Sequence, residues 1–150
     1  MASLLQTRPT ATGTAATVRT LPARVIAAAL SLGVAWIHVK DQGGFPGDKS
    51  PHYVGLGYYA LEATGVLVAA LLLFARGRAL VATWLLAAGV ALGPLVGFVL
   101  SRGPGLPNYS DDKGAWTEPL ALWSVGVEVS LLLIAAWGLW SSQREARGDR

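Results

Sequence analysis

Four long apolar runs, at 21–39, 53–75, 79–100 and 120–140, constrain this chain more than anything else in it. Each is close to the roughly 20 residues that a helix needs to cross a hydrocarbon core about 30 Å thick. Inside lipid only helices and closed barrels satisfy the backbone. These runs are continuous rather than alternating, so they read as helices. The predicted fold is therefore all-α: a transmembrane four-helix antiparallel bundle with two structured outer loops. Composition agrees. Of the 150 residues, 53% are hydrophobic and 14% charged, whereas soluble domains carry about 25% charged residues. The first run has the basic flank of a signal peptide (Arg19, Arg24), but Trp36, His38 and Lys40 stand where small cleavage-site residues belong. It is expected to stay as a membrane span.

Residues 1–20 are rich in Thr and Ala, with Arg8 and Arg19 and no acids. They read as a disordered cytoplasmic tail. Residues 141–150 read as a second, short, charged tail. Orientation follows from the cations. One side would hold Arg8, Arg19, Arg24, Arg76, Arg78, Arg144, Arg147 and Arg150; the other only Lys40, Lys49, Arg102 and Lys113. The positive-inside rule puts the richer side, with both termini, in the cytoplasm. The abundance of Ala, Leu, Val, Gly and Arg suggests a bacterium, so the expected location is a bacterial plasma membrane. The loops at 40–52 and 101–118 then face outward and carry Asp41, Asp48, Asp111, Asp112 and Glu118.

Several chemistries are excluded. With no cysteine there is no disulfide, thiolate zinc site or iron–sulfur cluster. Two histidines and one methionine leave few ligands for copper or haem. No metal site is predicted, and no pattern names a cofactor. The net charge of +3 does not point to nucleic acid, because the basic residues sit at the ends of apolar runs. Phosphate-binding glycine loops, H-E-x-x-H and G-x-S-x-G are all missing. No catalytic set is predicted.

Polar residues at membrane depth are costly and normally face a bundle interior or a wet cavity. Glu62 and Glu128 are such residues, both expected about 12–14 Å below the outer boundary at about 1.5 Å rise per residue. Gly55, Tyr58, Glu62, Gly65 and Ala69 share one face of the second helix, and Ala121, Ser124 and Glu128 one face of the fourth. These are expected packing faces. Two readings stand side by side: the carboxyls face each other and move a proton or cation, or each glues helices together. His38 follows Ser31 and Ala35 on a helical stripe and is a candidate proton relay, metal ligand or interfacial histidine. The binding or relay candidates are thus His38, Tyr58, Glu62, Ser124 and Glu128.

The second outer loop offers Arg102, Asp111, Asp112, Trp116 and Glu118 as candidates. Its Gly and Pro residues set a defined path. Arg102 is expected to pair with one of the acids and hold the loop as a cap, and Glu118-Pro119 suits a helix start. Trp116 and Trp123 are expected interface anchors. In the third span Gly89, Gly93 and Gly97 form overlapping G-x-x-x-G steps and are expected to pack helices within the bundle, with a homodimer or partner face as the alternative. Pro94 should kink that run or free a carbonyl.

The residues Gly105-Leu106-Pro107, Asp111-Asp112, Gly114, Trp116, Glu118-Pro119-Leu120, Ser124 and Glu128 together resemble an uncharacterised family of small four-helix integral membrane proteins of actinobacteria. The resemblance extends over about 21–140, with a histidine ending the first helix and a Gly-rich acidic loop after it. Asn108 and Ala121 stand where that pattern has glycine. The resemblance implies four helices and a plasma membrane, and it implies no activity.

Three functional expectations follow. The first is a ligand-binding or accessory subunit protein with an outward-facing polar pocket lined by His38, Tyr58, Glu62, Ser124 and Glu128. The second is a small proton- or cation-coupled transporter using the intramembrane carboxylates. The third is a membrane enzyme with a His38–carboxylate acid–base pair. The expected partners are the lipid bilayer and either a protein partner or a second copy of the chain.

Overall fold

A computed structural model describes the backbone of residues 12–148 and the side chains of 20–144. Four helices follow one another: α1 (Thr12–Asp41), α2 (His52–Phe74), α3 (Arg78–Arg102) and α4 (Pro119–Gly148). All four are long and apolar enough to cross a membrane. Consecutive helices pack together, α4 returns to α1, and α1 crosses the bundle to touch α3, whereas α2 and α4 stay apart.

The side-chain distribution suits lipid. Leu56, Val66, Leu67, Leu85 and Leu133 are each more than half exposed along the bundle, as is Phe74 at the end of α2. The core, by contrast, is built largely of Ala27, Val34, Val68, Ala69, Ala87, Ala91 and Ala135 around Leu72, Trp84 and Leu131. In water such apolar flanks would drive aggregation. In a bilayer they face the solvent they match, and small residues inside let backbones approach closely. This is a multi-pass integral membrane protein.

Two glycines carry the closest approaches between one helix and another. A Cβ on Gly65 of α2 would lie 3.0 Å from the Ser31 carbonyl oxygen of α1, and one on Gly138 of α4 would lie 2.4 Å from the Trp84 ring of α3. The expected packing faces of α2 and α4 are largely buried as predicted, with Gly55, Glu62, Gly65 and Ala69 on one and Ser124 and Glu128 on the other. The third-span glycines depart from expectation. A Cβ on Gly89, Gly93 or Gly97 would meet nothing within 4 Å. That row makes no close helix contact: α3 packs through Thr83, Trp84, Ala87, Val90 and Ala91 instead, and Gly93 and Gly97 border open space.

Two helices run into the stretches expected as tails. α1 begins at Thr12, so the expected disordered tail is helical over 12–20, and residues 1–11 lie outside the described region. α4 continues to Gly148, well past the expected end of the span at 140. Neither stretch from 14 to 20 nor from 139 to 147 contains Gly or Pro, so nothing in them breaks a helix already nucleated by the bundle. At the same end of the molecule Arg24 is buried. It donates from Nε to the Leu72 carbonyl at 2.5 Å and from Nη2 to the carbonyls of Leu73 (3.1 Å) and Ala75 (2.8 Å). These are the orphan carbonyls of the α2 C-terminus, and a cation there also complements the helix dipole.

Candidate functional site

At the end of the bundle that carries the long loops, the helices diverge around a cavity of about 370 Å³. Its apolar wall includes Ile37 of α1, Leu61 of α2, Pro94 and Phe98 of α3 and Val125 of α4. Three glycines, Gly57, Gly93 and Gly97, also border it, and a Cβ on any of them would meet open space. The room therefore exists partly because side chains are missing there.

The polar lining comes from every helix. His38 and Asp41 lie one turn apart at the end of α1. Tyr58 comes from α2, Arg102 from α3, and Ser124 and Glu128 from α4, with Tyr109 and Asp112 from the second loop. Tyr58 donates its hydroxyl to Asp41 Oδ2, which also receives Lys49 Nζ at 2.9 Å. The His38 ring meets Tyr58 edge-on at 5.0 Å between centroids, and its Nδ1 lies 2.9 Å from the Val34 carbonyl. A carbonyl only accepts, so Nδ1 carries the proton and Nε2 is left as the acceptor of the neutral ring. Ser124 Oγ donates to Glu128 Oε1 at 2.5 Å.

Arg102 organises the cap. Its Nη2 reaches Glu118 Oε2 at 2.8 Å, Nη1 reaches Ser101 Oγ at 3.1 Å and Asp112 Oδ2 at 3.5 Å, and Nε donates to the Ala115 carbonyl at 3.0 Å. Its guanidinium also lies 4.5 Å from the centre of the Phe98 ring. Asp112 accepts the Tyr109 hydroxyl at 2.8 Å. Burial and that carboxylate push the Tyr109 phenol above its usual value, so it remains a donor throughout the neutral range. Tyr53 ties the loop to α2 by donating to the Pro107 carbonyl at 2.7 Å. Two backbone turns in the loop need a left-handed residue and have glycine, Gly105 and Gly114; a third has Asn108 at φ 56°. Asparagine is among the few non-glycine residues that adopt this conformation readily.

The expected site residues therefore divide. His38, Tyr58, Ser124, Glu128, Arg102 and Asp112 converge on one cavity. Glu118 touches it only through Arg102. Trp116 packs edge-on against Phe98 at 5.7 Å, and Asp111 is exposed to solvent. Glu62 is not in the cavity. It is buried against the first loop and accepts a 2.7 Å hydrogen bond from Gln42 Nε2. The expected Glu62–Glu128 pair is thus replaced by two separate sites, because one carboxyl turns toward the α1–α2 loop and the other lines the cavity. Among the described residues His38 forms no hydrogen bond to a carboxylate either; its ring contact is to the Val34 carbonyl. No group of three metal-ligating side chains occurs among the described residues.

Asp41, Gln42 and Tyr109 escaped the sequence reading. Asp41 extends the Ser31, Ala35, His38 stripe by one more turn, so its signal was available. Tyr109 sits in an irregular loop, where no periodicity marks which side chains turn inward.

The chain matches no protein family, no curated protein and no solved structure.

Proposed function

We propose that this protein is a ligand-binding protein of a bacterial plasma membrane, with its termini in the cytoplasm and its cavity near the external face. The observation that carries the reading is the cavity itself. It combines apolar walls with a few convergent polar groups, the usual make-up of a small-molecule site. Its position beneath a loop cap and among the membrane helices suits an amphipathic molecule, with an apolar body among the side chains of α2 and α3. The separation of Glu62 from Glu128 removes the main support for a carrier in which both carboxylates share an ion.

Gly97→Phe tests this directly. The side chain would grow into the cavity, while replacing a helical glycine favours folding by roughly 0.5 kcal/mol or less. Binding of an amphipathic ligand to protein in nanodiscs should disappear while the thermal transition is kept or raised. Unchanged saturable binding by a folded variant would mean that the ligand sits elsewhere.

A second reading, an accessory subunit, is favoured by Gly89, which is exposed with open space beside it, since a small residue on a helix face accepts a close-packed helix. Gly89→Cys should then crosslink in native membranes to a second chain. Failure to crosslink with any spacer would count against it.

A further inference from the structure

The cavity offers acceptors and almost no donors. Five hydroxyl-bearing residues line it, and each hydroxyl is already committed to a protein acceptor. Tyr53 donates to Pro107, Tyr58 to Asp41, Ser101 to Phe98, Tyr109 to Asp112 and Ser124 to Glu128. Arg102 spends its N–H groups on Ala115, Ser101, Asp112 and Glu118, leaving one of its five. The free capacity is of the opposite kind. Glu128 is 1% exposed, and only its Oε1 has a protein partner. The second carboxyl oxygen has none among the described residues, nor does His38 Nε2, the acceptor of that ring.

Charge points the same way. Asp41 is paired with Lys49, and Arg102 with Glu118 and Asp112. Glu128 has no cation within 4 Å among the described residues. It lies about 13 Å along α4 from the helix start at Pro119, at about 1.5 Å per residue. A buried carboxyl is normally paired or fully hydrogen-bonded, and this one is half-provided. A bare metal ion would need several more oxygens, and the surrounding walls of Ile37, Leu61, Pro94 and Val125 supply none.

We propose that the cavity selects an amphipathic amine, with its ammonium group on the free oxygen of Glu128 and its apolar chain along the walls. The inference rests on the binding reading above and adds to it the class of ligand. An ammonium brings donors and positive charge, the two things the lining lacks. A carboxylate or phosphate head would find acceptors and a like charge.

Chain-matched decylamine, decanol and decanoate provide the test, each titrated as radiolabelled ligand onto full-length protein in phosphatidylcholine nanodiscs, with binding to empty discs subtracted. Decylamine should saturate the wild type at a concentration at least about tenfold lower than the other two, as one charge-assisted hydrogen bond allows. Glu128→Gln should erase that preference, and Glu128→Asp should keep part of it. The wild-type series decides even where Glu128→Gln fails to fold. Equal or tighter binding of decanol or decanoate overturns the amine assignment, as does an amine preference that survives in folded Glu128→Gln. In either case binding still blocked by Gly97→Phe leaves the cavity reading standing. Absence of saturable binding by all three ligands overturns both.

Discussion

Glu62 shows how hydrogen-bond accounting constrains a buried polar residue. Gln42 gives its Nε2 proton to Glu62, but the Gln42 Oε1 atom is buried with no partner among the described residues. A buried acceptor in that state costs about 1–3 kcal/mol. An amide at position 62 can accept from Gln42 Nε2 and also donate to Gln42 Oε1. Glu62→Gln should therefore be neutral or stabilising, whereas Glu62→Leu should strip the pair and lower stability by about 1–3 kcal/mol. Thermal unfolding of detergent-solubilised protein, followed by size-exclusion chromatography, separates the two. A Gln variant as damaged as the Leu variant would show that the carboxyl has a role beyond this contact. The sequence revealed that Glu62 belongs on a buried face, because its neighbours at helical spacing are small. Its partner was invisible: Gln42 lies just past α1, and only the fold of the 42–51 loop brings it back onto α2.

Among the helices, glycine spacing alone misplaced the packing seam. The G-x-x-x-G steps of α3 satisfy the pattern for close helix contact, yet the tight contacts are at Gly65 and Gly138, which belong to no such double repeat. The reason is steric complementarity. Gly138 is needed because Trp84, 1% exposed, fills the space beside it, and a partner's bulk cannot be read from one helix. Gly138→Val should force the pinned indole to move and cost about 1–3 kcal/mol. Gly89→Ala, facing open space, should be neutral or slightly stabilising through helix propensity. Thermal shifts of both variants in one detergent check this; equal losses would place Gly89 at a contact with another chain. The second loop was more legible, because its cues are local. Glu118-Pro119 does open α4, and Arg102 does bind the acids of the cap. Asn108 occupies a left-handed position that asparagine tolerates.

For the whole molecule, the four apolar runs were sufficient to predict the bundle, since lipid leaves a helix few alternatives. The cavity was only partly legible. Helical stripes marked His38, Tyr58, Ser124 and Glu128, but the space between them depends on how far α2 and α4 stand apart, which no stripe records. Orientation is the property that turns this geometry into biology, and the chain is convenient for measuring it because it contains no cysteine. Asp111→Cys places one thiol on the exposed long-loop end, and Arg76→Cys places one at the short turn between α2 and α3. If the cation-rich end is cytoplasmic, a membrane-impermeant maleimide applied to intact cells should label position 111 and leave position 76 unlabelled until the membrane is opened. The reverse pattern would turn the cavity toward the cytoplasm, and the ligand would then have to come from inside the cell. Labelling of both positions in intact cells would mean that the chain inserts in two orientations, with one cavity facing each way.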